Sequence, residues 1–267
     1  MTHHQPVEDL KTQYKNSSNL DARIALHRDF STGSTQWYDL LHAQYLAIDP
    51  KSHILELGCG SGAFWTANQH QIPSGWDVTL TDFSEGMLAD ARSNLASSPH
   101  PFTFKQVNAQ EIPFADDSFD CVMANHMLYH VPDLDKALSE IRRVLKPDGY
   151  FFAATNGPNH HAGLKDPLQE ADPEYFSRVI SFWVLPFRLD NGPDLLKPYF
   201  STINLVMHDD SLHITQTEPL VNYLLSMSPE PLSDAALGKL HTTITDRIAQ
   251  DGAIDIPKET GLFICRP

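Results

Sequence analysis

Two histidines and a carboxylate stand out as side chains able to do chemistry. His126 and His130 fall in Asn125-His126-Met127-Leu128-Tyr129-His130, just past the apolar run 119–124. An imidazole titrates near pH 6.5 and can accept a phenolic, hydroxyl or ammonium proton. The spacing of four would place both rings on one side of a helix if the segment is helical. A metal asks for more ligands than two, local spacing offers no third, and no C-x-x-C pair occurs, so no metal is expected. The alternative for both histidines is structural hydrogen bonding. Glu170 could orient an amine or stabilise a cation developing on a substrate, and His160-His161 is an equally attractive polar pair. Their distance along the chain positions neither.

A second group of residues would hold a ligand rather than react with it. Ile54-Leu55-Glu56-Leu57 reads as an apolar strand running into Gly58-Cys59-Gly60-Ser61-Gly62, and glycines there let the backbone come closer to a ligand than a side chain would permit. Gly58, Gly60 and Ala63 also satisfy the G-x-G-x-x-G/A spacing of a dinucleotide fold, although such a turn can be purely structural. A second strand, 76–81, ends in Asp82, 20 residues beyond Gly62. A carboxylate there could accept both hydroxyls of a ribose and would repel a 2′-phosphate.

The elements that must position these groups alternate. Helices are expected at about 20–30 and 35–47, then strand 52–57, a helix after Gly62, strand 76–81, helix 84–97, strands 102–107 and 119–124, helix 133–146 and strand 149–155. This is the rhythm of a parallel sheet covered on both faces. Ser84 reads as an N-cap whose helix turns Met87, Leu88 and Ala91 inward, and Lys146-Pro147-Asp148-Gly149 as a stop and turn. The rhythm breaks over 157–190, where four prolines and the aromatics Tyr175, Phe176, Phe182, Trp183 and Phe187 suit a capping insertion. Those aromatics either line a substrate cavity or pack into a small core of their own. A short helix through Tyr199, strand 200–208, helices 217–226 and 233–250 and a closing antiparallel strand 260–266 complete the chain. The expected division is an N-terminal helical lid (1–48), a cofactor-binding core (49–156), a cap insertion (157–190) and a C-terminal completion of the sheet and helices (191–267).

Bulk properties narrow the partners. Thirty-four acidic against 19 Lys and Arg residues in 267 give a formal charge of −15, which opposes nucleic acid and anionic membrane and favours small molecules. Arg142, Arg143 and Lys146 form the longest basic group and read as a solvated helix face. Three dispersed cysteines, Cys59, Cys121 and Cys265, read as buried thiols in a reducing, cytoplasmic setting. The first residues carry no secretory signal pattern, and the greasiest stretch, 179–187, is too short to span a bilayer.

Taken together, the blocks 55–62, Thr81-Asp82-Phe83-Ser84-Glu85-Gly86-Met87-Leu88, 109–120 and 134–149 with Arg143-Val144-Leu145-Lys146-Pro147-Asp148-Gly149 resemble the class I S-adenosylmethionine-dependent methyltransferases. The resemblance is to the small-molecule, ubiquinone/menaquinone-type branch and covers about residues 50–155. It implies a Rossmann-like α/β three-layer sandwich with a mostly parallel seven-stranded sheet and an insertion after the fifth strand. It implies S-adenosylmethionine as cofactor, with Gly58, Cys59 and Gly60 passing beside its methionyl and ribose part and Asp82 on the ribose. Phe83 and Met87 would pack on adenine, unless Met87 is simply helix core, and Asn108, Ala109 and Gln110 would form the adenine loop. Asn108 departs from the aspartate common there. Glu56 and Asn125 would face the methionine ammonium, the latter through its backbone carbonyl, and Tyr14, Arg23 and His27 would close as a lid or pack as ordinary helix residues. The implied reaction is methyl transfer to oxygen, nitrogen or carbon of a small molecule, which the aromatic insertion suggests is partly apolar. A nicotinamide-dependent oxidoreductase and a non-catalytic cofactor-binding regulator are the competing readings.

Overall fold

A computed structural model describes residues 18–179, 185–227 and 230–267. Seven strands form one sheet in the order β3-β2-β1-β4-β5-β9-β6. The strands are β1 (His53–Leu57), β2 (Asp77–Asp82), β3 (Phe102–Gln106), β4 (Phe119–Asn125), β5 (Leu145–Asn156), β6 (Thr202–His208) and β9 (Thr260–Arg266). Strands β1 to β5 pair in parallel, and β9 lies antiparallel between β5 and β6. This is the expected Rossmann-like α/β architecture. Alternate residues of one strand serve opposite faces: Leu55, Leu57, Val122 and Ala124 join the core on one side, while Ile54, Val78, Leu80, Cys121 and Met123 join the core on the other. Burial on both faces explains why the central strands read as near-continuous apolar runs.

Helices α1 (Ser18–Phe30), α2 (Trp37–Tyr45), α3 (Ala63–Asn68), α4 (Glu85–Asn94) and α5 (Leu134–Val144) precede or cover these strands. The Ser84 hydroxyl caps α4 by accepting from the Met87 N–H at 3.3 Å, and Met87, Leu88 and Ala91 are buried as expected. Asp133 caps α5 in the same way through Lys136, and Ala137, Leu138, Ile141 and Val144 form its inward stripe.

Three local expectations change. Lys146–Gly149 is not a break before a new strand but an irregularity inside β5: pairing jumps from Phe119 opposite Leu145 to Cys121 opposite Tyr150. Two short strands, β7 (Ser211–Ile214) and β8 (Ile254–Pro257), pair antiparallel in a second small sheet that the apolar pattern did not signal. Arg143 is not merely solvated. Its guanidinium donates to Glu140, Asp116 and the carbonyls of Ile112 and Phe114, and so pins the loop that follows β3.

The rest of the chain forms a cap. Helices α6 (Asp166–Ala171), α7 (Pro173–Val179), α9 (Thr217–Ser226) and α10 (Asp234–Asp251) pack with α1, β7 and β8, while α8 (Gly192–Leu196) stays with the sheet. One apolar cluster holds the cap together, with Leu26 and Phe30 from α1, Leu168 from α6, Tyr175 from α7, Leu212 from β7, Leu224 from α9 and Leu240 from α10. The cap is thus assembled from the amino-terminal helix and from two excursions of the chain, between β5 and β6 and between β6 and β9. Phe187, by contrast, is buried in the sheet core beside Phe263.

Candidate functional site

In a parallel sheet, ligands bind outside the carboxyl ends of the strands where the order reverses, here at β1 between β2 and β4. The register sets Leu57 level with Thr81 on one side and Ala124 on the other. Gly58, Asp82 and Asn125, each near one of these strand ends, are therefore neighbours although far apart in sequence.

The glycine turn is shaped by its surroundings. Gly58, Gly60 and Gly62 all have positive φ, a region that L side chains avoid. A Cβ on Gly58 would lie 2.6 Å from the Cβ of Met127. The Cys59 N–H donates to the Thr81 carbonyl at 2.8 Å and the Gly60 N–H to one Asp82 oxygen at 2.9 Å, while the Ser84 N–H donates to the other at 2.8 Å. Asp82 thereby braces the turn and keeps further lone pairs for hydroxyls. Burial raises its pKa, against the pull of these N–H donors.

Behind the turn lies a buried network that the sequence did not announce. Glu56 is 2% exposed and accepts from the Trp65 indole at 2.5 Å and from the Asn125 amide at 2.9 Å; Asn125 in turn accepts from the Tyr45 hydroxyl at 2.6 Å. Burial pushes the Glu56 pKa up to about 7, the two donors oppose the rise, and Asp82 adds to it. The signal available was that a buried indole or phenol needs a polar partner, but sequence alone did not show that Trp65 and Tyr45 turn toward Glu56. Because the Asn125 side chain is consumed here, only its backbone carbonyl remains for a ligand.

These groups open onto one cavity of about 1490 Å³. On the sheet side it is lined by Glu56, Gly58, Cys59, Gly60, Asp82, Phe83, Met87, Asn108, Ala109, Gln110, Asn125, His126 and His130, and on the cap side by Arg23 and His27. Phe83 leaves 42% of its surface exposed, an apolar face on the cavity, whereas Met87 is 1% exposed and serves mainly as helix core. Asn108 turns its side-chain oxygen inward to Gln110, and Gln110 accepts from the Asp133 N–H, so both polar tips stabilise their own loop.

The histidines are placed differently from the expectation of one helix face. His126 has φ +55 at the end of β4 and donates its N–H to the Ala154 carbonyl, while His130 closes a single 3₁₀ turn, Leu128–His130. Both still line the cavity. Burial lowers their pKa values, to about 4 for His126, where Lys258 adds to the effect, and to about 3 for His130, where Arg23 and His126 do. Arg23 ties α1 to α9 through the Ser226 hydroxyl and carbonyl. Tyr14 lies outside the described residues.

Glu170 is not at the site. It sits on α6, where its carboxylate pairs with Arg247 and its carbonyl accepts from Lys239, outside the cavity lining. The described aromatics of the insertion, Tyr175, Phe176 and Phe187, pack into cores; Phe182 and Trp183 lie outside the described residues. The insertion instead contributes Pro158, His160, His161, Lys165, Leu185 and Arg188, and later segments add His208, Tyr223 and Lys258. Lys258 is paired with Asp210, whose pKa is held at about 2 against burial by Lys258, Gly33 and Ser31.

Comparison with known proteins agrees with this geometry. Residues 55–153 match the family model of a methyltransferase domain. A demethylmenaquinone methyltransferase of Symbiobacterium thermophilum is 34% identical over 158 residues, 55% of this chain and 61% of that protein. The ubiquinone/menaquinone biosynthesis C-methyltransferase of Vibrio cholerae is 37% identical over 139 residues, 51% of this chain and 50% of that one. The chain therefore spans between half and two thirds of the length of these relatives. In fold, it resembles the [4+2]-cyclase SpnF, with a TM-score of 0.61 at 17% identity over 100% of this chain and 98% of that one. It also resembles a Haemonchus contortus phosphoethanolamine N-methyltransferase solved with S-adenosylmethionine, with a TM-score of 0.59 at 21% identity over 97% and 59%. The positive-φ glycine turn, the braced Asp82 and the exposed Phe83 beside the cavity fit a nucleoside-bearing cofactor. The strand order and the match of residues 55–153 to a methyltransferase domain make this part of the chain similar to the class I S-adenosylmethionine-dependent methyltransferases.

Proposed function

We propose that the chain transfers the methyl group of S-adenosylmethionine to a small-molecule acceptor held between the sheet and the cap. The observation that carries this reading is the continuity of the cavity: the cofactor residues Gly58, Gly60, Asp82 and Phe83 and the polar groups His126, His130, His27 and Lys258 line one space. Cavities of roughly 300–1,000 Å³ hold a drug-sized ligand, so this one has room for a cofactor and an acceptor together.

The cofactor, when bound, supplies an electrophilic methyl carbon on a sulfonium. The residues do the rest. The Gly58–Gly60 turn receives the methionyl and ribose part, Asp82 accepts from the ribose hydroxyls, and Phe83 offers its face to the base. Ala109 presents its backbone to the adenine edge in a loop fixed by Arg143. Glu56, beside the turn, counters the positive charge of the methionine ammonium, with the Asn125 carbonyl as second acceptor. Displacement at a methyl group needs alignment above all, and alignment of two reactants can lower a barrier by roughly 7–11 kcal/mol in ideal cases. Alignment falls to the cap, with Arg23 and His27 closing over the cofactor.

His126 and His130 face the acceptor as neutral imidazoles. With pKa values of about 4 and 3 they are weak bases, so they act by accepting a hydrogen bond from the acceptor's hydroxyl or amine and orienting its lone pair. The apolar lining residues Leu20, Ile24, Trp37, Leu185 and Met227 support a partly apolar acceptor. Three free cysteines, none paired with another, support a reducing cytoplasmic setting, and no described helix is long and apolar enough to cross a membrane.

The fold is shared with a [4+2]-cyclase, so fold by itself does not establish the reaction. Incubation with labelled S-adenosylmethionine and a metabolite library, followed by mass and NMR analysis of products, should reveal one methylated small molecule and its acceptor atom. Tight cofactor binding with no transfer across the library and a broad cell extract would favour the regulatory reading. Binding of reduced nicotinamide cofactor in place of S-adenosylmethionine would favour the oxidoreductase.

A further inference from the structure

The cap side of the cavity holds three histidines, two of which, His160 and His161, have no part in methyl transfer as proposed above. His27 comes from α1, and His160 and His161 from the segment after β5. Their ring centroids lie 3.7 Å apart for His160 and His161, 5.1 Å for His27 and His161 and 6.3 Å for His27 and His160. One nitrogen from each ring lies within 4.8 Å of the other two, and all three rings line the cavity.

Two of these nitrogens need something. His161 is 6% exposed and its Nε2 has no hydrogen-bond partner, and His27 Nδ1 is likewise buried without one. A buried polar atom left unpaired is costly, typically about 1–3 kcal/mol. Native proteins seldom leave such atoms unpaired, and both belong to rings of this group. The other His161 nitrogen, Nδ1, lies 3.0 Å from the Tyr223 hydroxyl, the kind of outer contact that orients a metal-ligating imidazole.

We propose that His27, His160 and His161 bind a single transition-metal ion of the zinc class. Imidazole nitrogen suits such ions, and three protein ligands leave an open position for water or an acceptor oxygen, reachable here from the cavity. A tetrahedral ion at about 2.0–2.1 Å from each nitrogen would require the side chains to rotate so that one nitrogen of each ring converges on the ion. Coordination requires neutral rings, and burial, with repulsion from the Lys258 charge, keeps all three neutral. Lys258 is itself paired with Asp210.

The three ligands are unequal. His160 Nδ1 accepts from the Glu259 N–H at 3.1 Å, which favours a proton on Nε2 and so opposes coordination through that atom. Thr260 Oγ1, 3.3 Å from the same Nδ1, donates its own proton to Asn156 and so can accept from the opposite tautomer. Metal binding has to shift that balance, which makes His160 the weakest ligand.

The test does not depend on methyl transfer. The full chain, stripped with a chelator, is titrated with Co²⁺ as a spectroscopic stand-in for Zn²⁺. Visible ligand-field absorption should saturate at one ion per chain, disappear on adding Zn²⁺, vanish in His161→Ala and His27→Ala, and weaken less in His160→Ala. It should survive His3→Ala combined with His4→Ala, which removes the histidine pair near the amino terminus. The wild-type Tm should also rise with Zn²⁺, because a ligand that binds only the folded state stabilises it. This wild-type readout decides the matter if a variant fails to fold. Absence of saturable one-to-one binding to the wild type, full absorption in His161→Ala, or loss of absorption in the His3/His4 variant would each overturn the assignment.

Discussion

The two sides of the cavity are built by different means. The sheet side is made of strand ends, where β1, β2 and β4 stop in register and each delivers one or two residues: Gly58, Asp82, Asn125 and His126. Its key feature is backbone conformation, three glycines at positive φ and N–H groups aimed at a carboxylate. The cap side is made of side chains from α1, from 158–165, from α9 and from 258–260, held by packing in a common apolar cluster and by separate side-chain contacts such as Arg23 with Ser226 and Lys258 with Asp210. A side set by hydrogen-bond ladders is rigid and written in short contiguous blocks. A side set by packing can be rebuilt by substitutions anywhere in its cluster.

The strongest test of this contrast is Gly58→Ala. The added Cβ would meet Met127 at 2.6 Å in a backbone of φ +66. Overpacking of about 1–3 kcal/mol together with roughly 1–2 kcal/mol for a left-handed L-residue predicts a loss of about 2–5 kcal/mol, read as a lower urea midpoint, and cofactor affinity should fall with it. A variant of normal stability and affinity would show that the turn is not the rigid element described.

Next is Asp82→Asn. The amide keeps one acceptor where the carboxylate serves both Gly60 and Ser84, and it turns an N–H₂ toward the other donor. Loss of a charged hydrogen bond is worth about 1.5–3 kcal/mol, so calorimetry should show S-adenosylmethionine bound roughly 10- to 150-fold more weakly. An unchanged Kd would remove Asp82 from the ribose.

The third prediction concerns pH. His126 and His130 titrate at about 4 and 3 when folded and near 6.5 when unfolded, so below pH 6.5 the unfolded chain binds more protons and stability falls as pH drops. Glu56, at about 7 against 4.5, works in the opposite sense: stability falls as pH rises from 4.5 through 7. Between these limits the two histidines outweigh the one glutamate. In chelator-treated protein the Tm should therefore decline from about pH 6.5 toward about pH 4.5. A flat profile would mean that the rings are solvated and that this part of the cavity is more open than described.

The smallest effect belongs to Glu170→Gln. The lost partner, Arg247, is partly exposed, and exposed ion pairs are worth about 0.2–1 kcal/mol. A slight fall in Tm with unchanged methyl transfer is expected; a collapse in turnover would return Glu170 to the acceptor site.

Most strands and helices were legible because periodicity reports them directly. The helix Thr217–Ser226 matches its sequence reading at both ends, and the Ser84 cap and the buried face of α4 follow from local chemistry. The strands β7 and β8 were not legible, since four-residue strands 40 residues apart carry no period of their own. His126 and His130 were found as cavity residues but with the wrong local geometry, because a positive φ at a histidine has no signal in residue type. Glu170 was a plausible carboxylate on the wrong surface of α6.

The sequence by itself determined the sheet, the glycine turn, Asp82 and the loop at Ala109, because each depends on neighbours within a few residues or on strand order that the crossover rules leave little freedom to alter. Only the tertiary structure decided that Glu56 is gripped by Trp65 and Asn125, that Lys258 meets Asp210, and that His27 joins His160 and His161. Those meetings span from 9 to more than 130 residues of chain and arise from side-chain packing in three dimensions, to which local residue pattern is blind.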